Sequence, residues 1–282
     1  MVPSPRTVSR SLAAASAAVV GLCLVVPGIA SATGSSAAPT PRPKAPTYQD
    51  FYNSTHRDAD GQWIVDGDTP MKSAPALKNF FKRVTSPDLP SGTDRLIVNQ
   101  VNGKDDVWSA SQVGNLTYCV SDKFGPIKED VATAMRQGGG LWSAASSKIR
   151  FVHDATQDAT CSTANTKVVF SVEPIAKAPY IARAFFPSSA KSERNILVNL
   201  SDWGKGSWEA KNVLGHEMGH ILGLRHEHTR PEAGKCFEDN NWRPLTPYDS
   251  ASIMHYPHCN GTSKELSFTE SDGVGIRKLY GK

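Results

Sequence analysis

Apolar and polar positions alternate in a readable way only from about residue 113 onward. Ile127, Val131, Ala134, Met135, Gly138, Leu141, Trp142 and Ala145 recur at helical spacing, which predicts one long helix despite the run of glycines from Gly138 to Gly140. A second helical pattern covers residues 208–222, with Ser207 as its expected N-cap. Short β-rich runs at 116–120, 149–153, 167–172, 181–186 and 196–200 read as strands. Residues 223–269 are rich in turn formers, and 270–279 read as a closing helix. Between residues 48 and 102 the pattern is weak. Asp60-Gly61, Asp66-Gly67 and Asp88-Leu89-Pro90 interrupt it, and only 74–84 looks helical. There is no internal repeat. The chain therefore reads as α+β: a sheet crossed by two long helices, with a smaller irregular lobe after the second.

The first residues have another character. Arg6 and Arg10 precede a mostly Ala, Val and Leu stretch over 12–29, followed by Ala30-Ser31-Ala32. Basic start, apolar middle and small residues at the end are the pattern of an export signal, expected over 1–32. Ser16, Gly21, Pro27 and Gly28 interrupt the run, which argues against a retained anchor. No later stretch has the roughly 20 apolar residues needed to span a bilayer. A Ser-, Ala-, Pro- and Lys-rich linker follows over 33–46. The chain of 282 residues carries a formal net charge of +4, too little to call for a nucleic-acid partner. Of its five cysteines, Cys23 lies in the signal. Cys119, Cys161, Cys236 and Cys259 remain, and an even number in an exported chain favours disulfides. Three pairings are open. Local pairs, Cys119 with Cys161 and Cys236 with Cys259, are preferred, and no CxxC spacing supports a metal site instead.

Residues 216–227 read HEMGHILGLRHE. On a helix, His216 and His220 share a face on adjacent turns and can reach one ion at about 2.0–2.1 Å. Glu217 stands beside them. Gly223 suits a helix end, after which the chain can return His226 as a third ligand. Three nitrogens leave a fourth position for water, the layout of one catalytic Zn(2+) rather than a structural ion. Zinc lowers the pKa of such a water to about 7, and Glu217 is placed as the general base. The competing reading is a His-rich surface helix, but that would not need Gly223 and His226 at these offsets.

This motif and the later Ser252-Ile253-Met254-His255-Tyr256 resemble the metzincin metallopeptidases, with their HExxHxxGxxH signature and methionine turn. Glu227 after the third histidine, Arg230-Pro231, Pro247-Tyr248-Asp249 and Met254-His255-Tyr256 are most similar to the astacin branch. Matrixins usually have Pro in the Tyr256 position and serralysins Pro in the Glu227 position. The resemblance implies a metzincin-like two-lobed zinc protease domain, with a mixed twisted sheet and two long helices above an irregular lower lobe. It implies a secreted zinc endopeptidase, monomeric and free of the membrane once the signal is cut. Met254 would floor the ligand histidines, and Tyr256 would ligate resting zinc and then donate to the oxyanion. Extended peptide would lie along an edge strand running from Ile181 to Phe186. In that branch Glu227 binds the new N-terminus after activation. Astacin propeptides carry Phe-x-Gly-Asp, and Val65-Asp66-Gly67-Asp68 is similar, which makes Asp68 the candidate inhibitory ligand of a zymogen. The domains are then 1–32 signal, 33–105 linker and propeptide, and 106–282 catalytic, with the activating cut between Thr85 and Val113. The stretch around Cys236 departs from the branch's usual spacing.

Other residues carry plainer readings. His228 is expected on the surface or behind the ligands, His255 in a turn and His258 at the cleft or surface. Trp142, Trp203 and Trp208 are expected in the core, and Asp202 as a turn cap rather than a calcium ligand. Asn53, Asn115, Asn199 and Asn260 stand in N-x-[Ser/Thr] sequences. Two other functions remain open: an exported or wall-associated binding protein that keeps zinc for structure, and a zinc hydrolase of non-peptide amides.

Overall fold

The computed structural model describes residues 47–85, 96–206 and 208–282. The expected signal over 1–32, the whole of the expected linker over 33–46 and the expected cap Ser207 lie outside the described residues. Among the described residues no helix is long and apolar enough to cross a membrane.

The N-terminal stretch is more ordered than its weak pattern suggests. Helix α1 (Tyr48–Ser54) starts at a Thr47–Asp50 capping box. Strands β1 (Trp63–Val65) and β2 (Thr69–Met71) form an antiparallel hairpin, and helix α2 (Ala74–Val84) follows, capped by Ser73. Trp63, Val65, Leu77 and Phe80 make a small separate core. The hairpin escapes a period-2 reading because all three residues of β1 are buried, so nothing alternates.

Strand β3 (Ile97–Val101) pairs with β4 (Lys104–Asp105) and, on its other side, with β10 (Trp242–Pro244) from far along the chain. Leu96 is buried in the main core. Thus the stretch from Leu96 to Asp105 packs with the body of the molecule rather than with the hairpin.

After the short helix α3 (Ala110–Val113) comes the principal sheet, of strands β5 (Leu116–Val120), β6 (Phe151–His153), β7 (Phe170–Ile175), β8 (Ala182–Arg183) and β9 (Asn195–Asn199). Their order is β6-β5-β7-β9-β8. All neighbours are parallel except β8, which runs antiparallel to β9 along one edge. The sheet is mixed, as the α+β reading requires. Its edge strand is only two residues long, shorter than the 181–186 run.

Helix α4 (Lys128–Ala145) runs unbroken through its glycines and packs on α5 (Ala210–Ile221). A Cβ on Gly138 would lie 2.7 Å from the Gly215 nitrogen, so glycine is what lets the two helices approach. Helix α5 starts at Glu209, which makes no side-chain cap, and not at Ser207. The chain then crosses the irregular lobe and ends in α6 (Glu270–Tyr280), which packs back on α4. Disulfides join Cys119 to Cys161 and Cys236 to Cys259, the same local pairs. All four thiols are thereby used, which removes them as metal ligands. Asn199 is fully buried and its amide donates to Ala178 O and Tyr180 O, so that sequon has no accessible side chain.

Candidate active site

Helix α5 is buried along almost its whole length, and its last turns carry His216, Glu217 and His220. Gly223, at φ 91°, turns the chain out of the helix. Any Cβ there would stand 2.1 Å from Asp106 O, so the turn is closed to other residues. Asn99 N donates to Gly223 O at 2.7 Å and seats the turn on β3. Three residues later His226 faces back towards the helix.

The three imidazoles meet at one point. His226 Nε2 is 3.2 Å from both His216 Nε2 and His220 Nε2. Each ring's other nitrogen has an acceptor from the body of the protein. His216 Nδ1 donates to Ile253 O at 2.7 Å, His220 Nδ1 to Leu224 O at 2.8 Å and His226 Nδ1 to Glu238 Oε1 at 2.7 Å. Protons held on Nδ1 leave three Nε2 lone pairs pointing at each other, an arrangement that a cation satisfies and hydrogen bonding does not. Tetrahedral ligands at about 2.0–2.1 Å from zinc stand about 3.3 Å apart, which is close to the spacing seen here. The donor set therefore fits zinc.

The methionine turn lies underneath. Met254 is fully buried, and a Cβ on Gly219 would come within 2.4 Å of its sulfur. The turn is clamped by Asp272 of α6, which accepts from Ser252 Oγ at 2.5 Å, Ile253 N at 3.0 Å and Thr269 N at 2.8 Å. Because Ile253 O in turn orients His216, the last helix contributes to ligand geometry. Tyr256 stacks on His216, ring centroids 5.3 Å apart.

Asp68 occupies the remaining side of the site. Residues 66–68 are the tip of the β1–β2 hairpin, with Asp66 and Gly67 both at positive φ. Asp68 Oδ2 is 3.3 Å from His216 Nε2, and Oδ1 is 3.3 Å from His226 Nε2 and 3.7 Å from His220 Nε2. The Tyr256 hydroxyl donates to Oδ2. Burial opposes the charge on Asp68, but the neighbouring His226 and His220 rings prevail and hold its carboxyl well below the ordinary range. The hairpin thus brings a carboxylate to the position that the histidines leave open. Glu217 is buried beside it, and its Oε2 has no hydrogen-bond partner. Burial, with the Asp68 carboxylate next to it, pushes the Glu217 carboxyl well above its usual range. An apolar pocket lined by Tyr180, Ile181, Trp208, Val213 and Leu266 opens next to Glu217 and Tyr256.

Several neighbours were not foreseen from the sequence. Glu238, in the stretch tied down by Cys236, holds His226 and is itself held by Arg225, at 2.5 Å. Asp66 reaches the same His226 Nδ1 at 2.9 Å. His228 takes the second of its two expected places, behind the ligands: it is fully buried, stacked on His226 at 4.6 Å and close to Asp66 and Glu238. His255 is buried, 2.7 Å from the Tyr248 hydroxyl, while His258 is exposed at the pocket rim. Trp142 is fully buried and donates to Gly215 O at 2.8 Å, whereas Trp203 and Trp208 are half-buried against the core. Asp202 accepts from Asn199 Nδ2 in a turn.

The matrixin family of peptidases matches residues 107–233, which include His216, Glu217, His220 and His226 but stop short of Met254. An astacin-like metalloendopeptidase of Gallus gallus is 34% identical over 90 residues, covering 24% of this chain and 22% of that protein. The Coturnix japonica counterpart is 36% identical over 90 residues with the same coverage, so the chain spans about a fifth of the length of these relatives. Two solved structures of myroilysin are similar at 18% and 15% identity. Their TM-scores are 0.47 and 0.43, covering 66% and 68% of this chain and 98% and 100% of theirs.

Proposed function

We propose that this chain is a metzincin-type zinc protease and, more finely, an exported, astacin-like endopeptidase kept latent by its own N-terminal hairpin. The observation that carries the reading is the convergence of three Nδ1-anchored histidines beside a buried Glu217 whose Oε2 has no partner. His216, His220 and His226 hold the ion. A zinc ion bound there supplies Lewis acidity and lowers the pKa of a coordinated water to about 7. Glu217 takes a proton from water and returns it to the leaving amine. Tyr256, once released by Asp68, donates its hydroxyl to the developing oxyanion. The peptide backbone pairs with β8, where a strand edge is free to accept an extended chain.

In the precursor the hairpin tip excludes both water and substrate. A carboxylate is a good zinc ligand at about 2.0–2.2 Å, and Asp68 lies where the water would. The contacts of β3 with β10 and of Leu96 with the main core favour a cut after α2 and before β3. The buried Glu227 carboxylate accepts from Asp249 N at 3.2 Å through Oε1, while its Oε2 has no hydrogen-bond partner. By the astacin resemblance, Glu227 then receives the new N-terminus. The export signal over 1–32 and two disulfides fit an extracellular site of action.

A protein that keeps zinc only for structure would have no use for a buried carboxylate beside the ligands. Glu217→Gln should therefore retain zinc, measured by metal analysis of the purified chain. It should lower turnover on an unfolded protein substrate by about 10²–10⁴, the usual range for a lost general base. Wild-type turnover in that variant would sink the mechanism.

A further inference from the structure

Arg183 is the second residue of the edge strand β8, and its side chain is completely buried. A guanidinium taken out of water needs carboxylates around it, and removing one partner of such a pair is strongly unfavourable. Both of its carboxylates come from the N-terminal segment. Nε donates to Asp58 Oδ2 at 2.6 Å and Nη2 to Asp60 Oδ2 at 2.5 Å. The Tyr180 hydroxyl adds a bond to the same Asp58 oxygen at 2.8 Å. From the body of the protein Arg183 receives only a neutral acceptor, Asn195 Oδ1 at 3.2 Å. Among the described residues no other carboxylate forms an ion pair with it.

A purely structural arginine would find its counter-charge within the domain it stabilises. Here the counter-charge belongs to the segment whose tip fills the metal site, a few residues further along at Asp68. One stretch of chain thus places carboxylates both at the candidate catalytic centre and against Arg183 of the edge strand. When that stretch leaves, Arg183 stands uncovered on the strand along which substrate is to lie.

We propose that Arg183 is the cation of a substrate subsite, that the processed protease selects extended peptides with an acidic side chain beside β8, and that Asp58 and Asp60 fill this subsite in the precursor. The inference rests on the reading of the hairpin segment as a removable propeptide. Arginine suits the role, since its planar fork pairs with a carboxylate through two bonds where lysine offers a point charge.

The test uses the full-length chain as wild type, Arg183→Lys and Arg183→Gln, each processed by limited trypsin digestion followed by intact mass. Each receives peptide pairs that differ only in Glu against Gln at one position, moved along the peptide. At one position wild type should cleave the Glu member about tenfold faster, the scale of one charge-assisted bidentate pair. Arg183→Lys should keep part of that ratio, and Arg183→Gln should cleave both members equally. Because a lone Arg183→Gln strands Asp58 in the precursor, the double variant Arg183→Gln, Asp58→Asn is read alongside, with no unpaired charge left at that contact. It too should show a ratio near one. A Glu preference unchanged in both Gln variants, or absent at every position in wild type, overturns the proposal. Wild-type protein that cleaves no member of any pair overturns the peptidase reading itself, and that failure is distinct from the loss of a ratio.

Discussion

The ligand histidines and the hairpin tip meet at one point but are held there by opposite means. Each histidine is oriented from within the body of the protein, by Ile253 O, Leu224 O or Glu238. The tip comes from a small separate core and is held in place by what it touches: Tyr256, the histidines themselves and, further back, Arg183. One side is preorganised by the fold itself. On the reading proposed above, the other is secured by contacts that a single cut can release. The proposed latency calls for this asymmetry.

The comparison breaks most sharply at Asp68. In the uncut full-length chain, Asp68→Ala should change silence into turnover on a fluorogenic peptide. Equal rates for variant and wild-type precursor would remove Asp68 from the mechanism. Next in size is Tyr256→Phe, whose effect should have opposite signs in the two forms. In the processed protein, turnover should fall by about 10²–10³, the cost of a lost oxyanion donor. In the precursor, the same change removes the hydroxyl that bonds Asp68 and should weaken latency. A turnover number left untouched would make Tyr256 a packing residue.

On the preorganised side, Glu238→Gln keeps an acceptor for His226 Nδ1 but loses the charge. Zinc affinity, measured by chelator competition, should fall by about 10–100-fold, as is usual for partners behind a metal ligand. An unchanged affinity would mean that Asp66, at 2.9 Å from the same nitrogen, or the neighbouring backbone is enough to fix His226. The smallest effect should come from Gly67→Ala. Gly67 has φ 93°, and a Cβ would lie 3.0 Å from the Tyr256 ring. A left-handed conformation costs a non-glycine residue about 1–2 kcal/mol, so the precursor should leak several-fold more activity than wild type in the same peptide assay.

What the sequence made legible were features fixed over short distances. His216 and His220 are four residues apart on a helix, and Gly223 and His226 follow at offsets that a helix end imposes. The long helices showed through because their buried faces repeat. Asp68 could be suspected from a four-residue string, though only its position against three histidines gives that string meaning. Arg183, Asp66 and Glu238 gave no such sign. Arg183 meets Asp58 across 125 positions and His226 meets Asp66 across 160, and no periodicity encodes such meetings. Glu238 lies 12 residues from His226 in irregular chain, set in place near the Cys236–Cys259 bridge. Strand limits slipped where buried and open positions do not alternate, as in β7, buried over its first three residues and half-buried over the next three, and in β9, buried at four of five.

The clamp of Asp272 on the methionine turn has a consequence in time. A chain leaves the ribosome amino end first, and its parts can begin to fold in that order. The β1–β2 hairpin is therefore made well before α5, and α5 before α6. Until α6 arrives, Ser252 and Ile253 lack the carboxylate that fixes their turn, and the His216 ring lacks a settled acceptor. By then Asp68 has long been present. If Asp68 is the inhibitory ligand proposed above, the order of synthesis runs from stopper to vessel, and at no stage of its making would this protein hold a finished site with nothing in it to keep it shut.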